Sequence, residues 1–377
     1  KYAVIDEKKY QISDATILVD DVLKTLQALA TFHREYLAIP IIALTGSNGK
    51  TTTKELINVV LSENYNTIAT KGNLNNHIGV PLTLLAMNEN TEIGIVEMGA
   101  NHQKEIEFLC SIALPDYGYI TNFGKAHLEG FGGVDGVIKG KSEMYAYLNK
   151  NKKFVFVNYN DPIQREKTKN IKSLTFGEKS QSVDVKINFV EANPFVKCEY
   201  KQLEIQSHLI GDYNFSNIAI AIAIGNYFKV KDNLIKRAIE NYIPSNNRSQ
   251  IIIKGSHKII LDAYNANPTS MKAALINFEK QQDRFKIAIL GDMFELGNEA
   301  AKEHQYIADL ASNMTFNQII LIGENFFKTR IVSPKVSSYK SFGEFQSEFE
   351  FSKLNSSTLL IKGSRGMALE RILELLN

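Results

Sequence analysis

Only two cysteines, Cys110 and Cys198, occur in 377 residues. They stand far apart, which excludes a disulfide framework and a zinc-ligand spacing, so a reducing cytoplasmic compartment is expected. An excess of one charge is also lacking. Forty-three Lys and Arg against 41 Asp and Glu leave a net charge of +2, and with it no global electrostatic argument for a nucleic-acid or membrane-surface partner. No apolar run is long enough to cross a bilayer, and no basic-then-apolar secretory segment opens the sequence. Internal repeats and low-complexity tracts are missing. There is no initiator Met either: the chain begins at Lys1, in what reads as the middle of a strand (Tyr2 to Ile5), and an N-terminal portion is expected to precede it. What remains is an ordinary globular composition, 44% hydrophobic and 22% charged, at a length that suggests two or three domains.

Along the chain, residues 1–38 read as a short strand-like start followed by a helix around Val22–Tyr36, too little to bury a core alone. From Ile39 the pattern changes. IPIIALTG reads as a buried strand, GSNGKTTT as a glycine-containing turn and KELINVVLSE as a helix. GIVEMGA (94–100) and DYGYITNFG (116–124) are further strands. Strands alternating with helical stretches predict an α/β fold with a parallel sheet covered on both faces. Residues 151–210 alternate over short runs (KKFVFVN, SVDVKINFV, VKCEYKQLEIQSHLI), which predicts antiparallel strands attached to the same domain. NFSNIAIAIAIGNYF (214–228) reads as a helix of small residues, and YIPSNNRSQ (242–250) as a linker. Beyond it HKIILDAYN, FKIAILGDM, QIILIG and STLLIKGS predict four buried strands of a second α/β unit. The expected division is 1–38, 39–245 and 246–377.

The strand IIALT running into GSNGKT and then a helix is the strongest chemical signal. A glycine turn lets backbone N–H groups converge on triphosphate oxygens, and the following helix N-terminus adds the positive end of its dipole. Gly46, Ser47, Asn48, Gly49, Lys50, Thr51 and Thr52 form the expected phosphate loop, with Lys50 on the β/γ-phosphates and the Thr51 hydroxyl on Mg²⁺. Leu44 stands where the long form of this motif has its first glycine.

The stretches that follow narrow the reading. TGSNGKTT, KGNLNNHIGVPLTLL, VEMGANHQKEI and TNFGKAHLEGFG, then DAYNANP, ILGDMFELG and LIKGSRGMALE, resemble the Mur ligase family in order and spacing over about residues 14–377. The Asp-Asn-Pro-Arg signature of the sister ligase that adds meso-diaminopimelate is absent. NLNN-IGVP, EMGANH and YNANP instead resemble the family members that add D-alanyl-D-alanine to UDP-N-acetylmuramoyl-tripeptide. The resemblance implies a three-domain plan: a uridine-nucleotide domain of which residues 1–38 match only the tail, an ATP-binding P-loop central domain, and a Rossmann-like C-terminal domain. It also implies a cytoplasmic, monomeric ligase of peptidoglycan synthesis.

The implied reaction has two steps. A substrate carboxylate attacks the γ-phosphate of ATP, and the amine of D-alanyl-D-alanine then displaces phosphate from the acyl phosphate. Attack of one anion on another calls for charge neutralisation and alignment. Glu97 ends a buried strand beside the phosphate loop and can hold Mg²⁺ with Thr51; alone, it reads as a strand-end Glu paired with a lysine. His127 lies in a loop at a strand C-terminus, where α/β sheets place ligands, and the resemblance assigns it a second Mg²⁺. Lys141, read from its neighbours, is a solvated lysine near a helix start. The resemblance implies that it adds CO₂ to form a carbamate that also reaches the second Mg²⁺, with Lys139 the competing assignment.

Asn214 and Asn217, one helical turn apart, are implied near the adenine, with helix capping as a compatible role. Arg248, preceded by Asn247 where the family has glycine, is implied at the γ-phosphate. Asp262 is implied at the ribose, with Tyr264, Asn265 and Asn267 in the closing loop. Asn73, Asn75 and Asn76 are implied against the muramoyl peptide, with Asn122 also on the substrate side; His77 replaces a more usual acidic residue. Two other readings stay open at this level: a sister ligase such as a folylpolyglutamate synthase, and a P-loop NTPase, or a bare nucleotide-binding module, that forms no amide bond.

Overall fold

The computed structural model describes all residues except 1, 181, 352, 353, 355 and 377. A small parallel pair, β1 (Ala3–Ile5) and β2 (Thr16–Leu18), leads into the 16-residue helix α1 (Val22–Leu37). The Asp21 carboxylate caps α1 by accepting from Lys24 N, satisfying one of the amides that a helix start leaves unpaired. The buried Arg34 of α1 donates to the backbone carbonyls of Ala113 and Leu114 and pairs with Asp116 at 2.7 Å. That contact ties the opening segment to the large sheet.

The large sheet is built from β3 (Ile41–Thr45), β4 (Thr67–Ala69), β5 (Ile93–Glu97), β6 (Tyr117–Ile120), β7 (Phe154–Asn158), β8 (Lys172–Gly177), β9 (Val185–Ala192), β10 (Phe195–Tyr200) and β11 (Leu203–Ile210). Its order is β11-β10-β9-β8-β7-β6-β3-β5-β4. Strands β3 and β5 are buried at every residue, as strands covered by helices on both faces must be. Helices α2 (Lys50–Leu61), α3 (Gly79–Leu85), α4 (Glu105–Ala113), α5 (Leu128–Phe131), α6 (Val134–Lys141), α7 (Glu143–Lys150), α8 (Pro162–Lys167), α9 (Phe215–Tyr227) and α10 (Asp232–Asn241) accompany this sheet. On one face, α2 and α9 bury Leu56, Ile57 and Val60 against Ile220 and Ile224 together with Leu44 and Ile95 of the sheet. Helix α9 is apolar all round over residues 218–225, which suits a helix enclosed by protein.

The antiparallel reading of residues 151–210 holds only for their second half. β7 pairs in parallel with β6 and β8, and β9 meets β8 in parallel over Phe176–Gly177 and Val185–Lys186. Only β9-β10-β11 form an antiparallel meander. The reason is the connection. Helix α8 carries the chain back between β7 and β8, so the crossover forces parallel pairing, and the four buried residues Phe154–Val157 of β7 belong to a two-sided core that short-range alternation does not reveal.

The second sheet has six strands: β12 (Gln250–Lys254), β13 (His257–Asp262), β14 (Lys286–Gly291), β15 (Gln318–Ile322), β16 (Val336–Tyr339) and β17 (Thr358–Lys362), in the order β12-β13-β17-β14-β15-β16. The four expected strands occupy its centre. The two that sequence analysis missed, β12 and β16, are its edges. β12 carries the apolar run Ile251–Ile253 directly after the stretch read as a linker, while β16 (VSSY) has no such run; the residues of both are partly exposed. Helices α11 (Pro268–Lys280) and α12 (Ala300–Ser312) cover the face turned toward the large sheet, where Leu275, Leu290 and Leu321 share a buried cluster with Val96, Leu109 and Leu148. No helix among the described residues is long and apolar enough to cross a membrane.

Candidate functional site

β3 lies between β5 on one side and β6 on the other. The chain leaves it in opposite directions there, and the crevice at the carboxyl ends of such strands is where open α/β sheets receive ligands. Residues 46–49 turn in this crevice and feed into the N-terminus of α2. Gly46 has φ 143°, and a Cβ on it would stand 2.0 Å from Thr121 Oγ1; Gly49 has φ 78°, and its Cβ would stand 2.7 Å from Asn217 Oδ1. Glycine is required at both by backbone conformation and by close approach. The loop is braced from β6: Ser47 N donates to Asn122 O at 3.1 Å, Asn48 N to Asn122 Oδ1 at 3.1 Å, and Asn122 Nδ2 and Thr121 Oγ1 to Asn48 O at 3.0 and 2.6 Å.

A cavity of about 850 Å³ opens over this loop, lined by both α/β units. Of the residues named from the sequence, Ser47 to Thr52, Asn73, Asn75, Asn76, Glu97, Asn122, His127, Asn214, Asn217, Arg248, Asp262, Tyr264, Asn265 and Asn267 line it. Gly46 lies behind the loop, where its carbonyl accepts from Lys50 Nζ at 2.8 Å. Lys141 does not line the cavity. It is fully buried, donates to Ala100 O at 3.0 Å and has its ammonium nitrogen 5.0 Å from the centre of the Phe131 ring. The solvated reading of Lys141 is therefore wrong: α6 turns it inward, behind the cavity wall that Ala100 forms.

Electrostatics sharpen the arrangement. Burial, with the Lys50 charge as the next contribution, holds the Lys141 amine well below its ordinary range. Burial likewise lowers Lys50, opposed by the Glu97 carboxylate and assisted by the Arg248 charge. Glu97 is 1% exposed. One of its oxygens accepts from Asn75 Nδ2 at 2.8 Å, and the other, Oε2, is buried without a hydrogen-bond partner among the described residues. A buried carboxylate oxygen left in this way fits a cation or a donor supplied by a ligand. Among the described residues no three His, Cys, Asp or Glu side chains cluster as a metal site. A Mg²⁺ bound by one carboxylate, a hydroxyl and nucleotide phosphates needs no such cluster.

Several of the asparagines turn out to hold the frame. Asn75 orients Glu97. Asn76 Oδ1 accepts from Ile78 N and Gly79 N at the start of α3. Asn217 donates to Asn214 Oδ1 at 2.8 Å and accepts from the Thr53 hydroxyl at 3.0 Å, which locks α9 to α2. Asn267 caps α11 and donates to Asn48 Oδ1 at 2.7 Å, so the second α/β unit touches the phosphate loop directly.

On the far wall, the Arg248 guanidinium lies 3.7 Å from the centre of the Tyr264 ring, a stacking geometry that suits its planar charge. Asp262 accepts from Ser249 N at 3.0 Å and from the buried Lys362 at 2.5 Å. Lys362 was not singled out from the sequence, although LIKGS was; its partner is 100 residues away. The same is true of Glu295, which accepts from His127 Nδ1 and lies in the quoted stretch ILGDMFELG. Tyr213, whose hydroxyl bonds to Ser249 Oγ at 2.9 Å, carried no sequence signal.

Comparison with known proteins agrees with this architecture. Residues 44–225 match the Mur ligase middle domain and residues 247–351 the Mur ligase, glutamate ligase domain. The UDP-N-acetylmuramoyl-tripeptide–D-alanyl-D-alanine ligase of Bacillus subtilis (strain 168) is 33% identical over 369 residues, covering 96% of this chain and 80% of that protein. A crystal structure of MurF from Acinetobacter baumannii superposes with a TM-score of 0.86 at 31% identity, over 96% of this chain and 82% of that one. A MurF ligase from Thermotoga maritima, solved in complex with ADP, shares the fold with a TM-score of 0.85 at 24% identity, over 99% and 87% of the two chains. The chain belongs to the Mur ligase family.

Proposed function

We propose that this protein is the ATP-dependent ligase that joins D-alanyl-D-alanine to UDP-N-acetylmuramoyl-tripeptide through an acyl phosphate, a step of peptidoglycan precursor synthesis. The observation that carries the reading is the single cavity shared by the phosphate loop, Glu97, His127 and the Arg248–Asp262 wall, in a chain that matches ligases of that name over nearly its whole length. A structure of the diaminopimelate-adding sister ligase also covers 97% of this chain, but with a TM-score of 0.60 at 15% identity, a likeness of fold alone.

The family resemblance supplies the assignments, and the cavity lining supports them. The loop amides, the α2 N-terminus and Lys50 hold the ATP phosphates; Asn214 and Asn217 face the adenine; Asp262 meets the ribose; Arg248 meets the γ-phosphate, its buried Nε having no partner among the described residues. Thr51 and Glu97 would hold one Mg²⁺, and His127 with a Lys141 carbamate a second, the ions supplying charge neutralisation between two anions. Carbamate formation joins the neutral amine to CO₂ with loss of one proton, and burial shifts Lys141 toward the neutral form. Asn73, Asn265 and the exposed edge of the NLNN loop face the muramoyl peptide. The functional division into 1–38, 39–245 and 246–377 belongs to the same proposal, as do a monomeric state, a cytoplasmic location and the absence of nucleic-acid partners and membrane insertion.

The test is phosphate release from ATP with UDP-N-acetylmuramoyl-tripeptide, with and without D-alanyl-D-alanine. Release that requires both substrates, with amide product formed in equal amount, is expected. Turnover indifferent to the dipeptide would return the protein to the NTPase reading.

A further inference from the structure

The loop after β14 reaches across to the loop after β6 and meets His127 there. Glu295 sits on it in a left-handed conformation, φ 61°, and its carboxylate accepts from His127 Nδ1. The backbone joins at the same place: Glu129 N donates to Glu295 O at 3.3 Å. A Cβ on Gly297, itself at φ 54°, would stand 3.2 Å from the Glu129 side chain, so the two loops are in close contact.

The Glu295 loop is held from behind by buried groups. His304 of α12 is fully buried. It donates from Nδ1 to Ala300 O at 2.7 Å and accepts Met293 N–H at Nε2 at 2.9 Å. Ser364 takes the next amide, Phe294 N, on its hydroxyl at 2.9 Å, and gives its own N–H to Asp292 O at 3.1 Å. The neighbour of His304 on α12, Glu303, pairs across the gap with Lys125 at 2.5 Å, and Lys125 N donates to Thr269 Oγ1 at 2.9 Å. Consecutive residues of one helix thus fix the Glu295 loop and clamp the loop that carries His127.

We propose that Glu295 is a positioning residue for His127, supplied by the second α/β unit, so that the imidazole is set for the reaction only when that unit is docked on the phosphate-loop unit. A carboxylate at Nδ1 requires the proton on that nitrogen and leaves the lone pair on Nε2. Second partners of this kind fix both the tautomer and the ring plane of a ligating imidazole. His127 cannot be oriented by its own unit in this way, because its carboxylate partner lies 168 residues further along the chain. The inference rests on the proposed role of His127 at the reacting phosphates.

A double-mutant cycle on the full chain tests it, read by ligase turnover and by ¹⁵N-histidine NMR of the free protein. The Glu295 side chain is half-exposed, so Glu295→Gln is expected to melt with the wild type. Its kcat should fall about 10- to 100-fold with little change in the KM for ATP, and the His127 nitrogen signals should move toward a mixture of tautomers. Glu295→Asp should recover part of the rate. In a His127→Ala background, Glu295→Gln should add no further loss, since it acts through His127. Wild-type turnover with unchanged His127 signals would overturn the proposal, and so would an equal loss in both backgrounds, which would make Glu295 a docking contact only. If His127→Ala alone kept the wild-type rate, the role of His127 would fall first and the positioning role with it.

Discussion

Replacing Lys141 with methionine gives the sharpest test of the buried site. Lys141 has no exposed surface, and the backbone carbonyl of Ala100 accepts from its amine. Its folded pKa lies well below the ordinary 10.5, first because of burial and then because of the Lys50 charge. The sign follows. Below pH 10.5 the unfolded chain binds a proton at this residue that the folded chain does not, until the pH falls to the folded value. Across that window wild-type stability drops as pH drops, by at most about 1.4 kcal/mol per pH unit for one proton. Methionine fills much the same space without an ionisable group. In metal-free, CO₂-free buffer Lys141→Met should therefore exceed the wild type in stability at pH 7, and the gap should close as pH rises toward 10. Denaturant melts of both proteins at half-unit steps measure this. Parallel stability curves over pH 7–10 would refute the lowered pKa of Lys141. With ¹³C-bicarbonate restored, the wild type should show a carbamate resonance that Lys141→Met lacks, and the variant should lose most ligase turnover. A Lys141→Met enzyme at the wild-type rate would remove the carbamate from the mechanism.

Further outcomes follow from other parts of the site. Lys50→Ala should abolish ATP turnover while leaving the circular dichroism spectrum and melting temperature near wild type; turnover in that folded variant would displace Lys50 from the phosphates. Lys362→Met leaves Asp262 without its buried cation and should destabilise the fold by about 3–5 kcal/mol. Adding Asp262→Asn should recover part of that loss in denaturant melts, and no recovery would mean that the pair is uncoupled. His304, with a pKa lowered from 6.5 mainly by burial, stays neutral in the fold while the unfolded chain protonates. Stability should therefore fall as pH drops below 6.5, by at most about 1.4 kcal/mol per unit. His304→Leu should flatten that limb of the acid melting profile, and an unchanged limb would place the acid sensitivity elsewhere.

The parts of this protein that its sequence determines unaided are those in which the physics is local. A β-strand, a glycine turn, Lys50-Thr51 and a helix follow one another within about 20 residues, so IIALTGSNGKTTT declares a phosphate loop before any tertiary contact is known. Two-sided burial likewise announces β3, β5 and the four central strands of the second sheet through unbroken apolar runs. The edge strand β16 (VSSY) escaped because it has no apolar run, and β12 because its run Ile251–Ile253 abuts the stretch read as a linker; the pairing of β7 was misread because the crossover through α8, rather than the side-chain period, makes β7 and β8 run parallel. Tertiary structure alone decided how the polar residues are used. Asn75 and Asn217 were legible as polar groups near ligands, but their hydrogen bonds to Glu97 and Thr53 join segments 22 and 164 residues apart. Lys362 finds Asp262 across 100 residues and Glu295 finds His127 across 168. Most decisively, nothing in VIKGKSEMY distinguishes a solvated lysine from one sealed behind Ala100 and Phe131. The desolvation that lowers the Lys141 pKa is set by how α6 packs on the rest of the fold, not by any residue beside it in the chain.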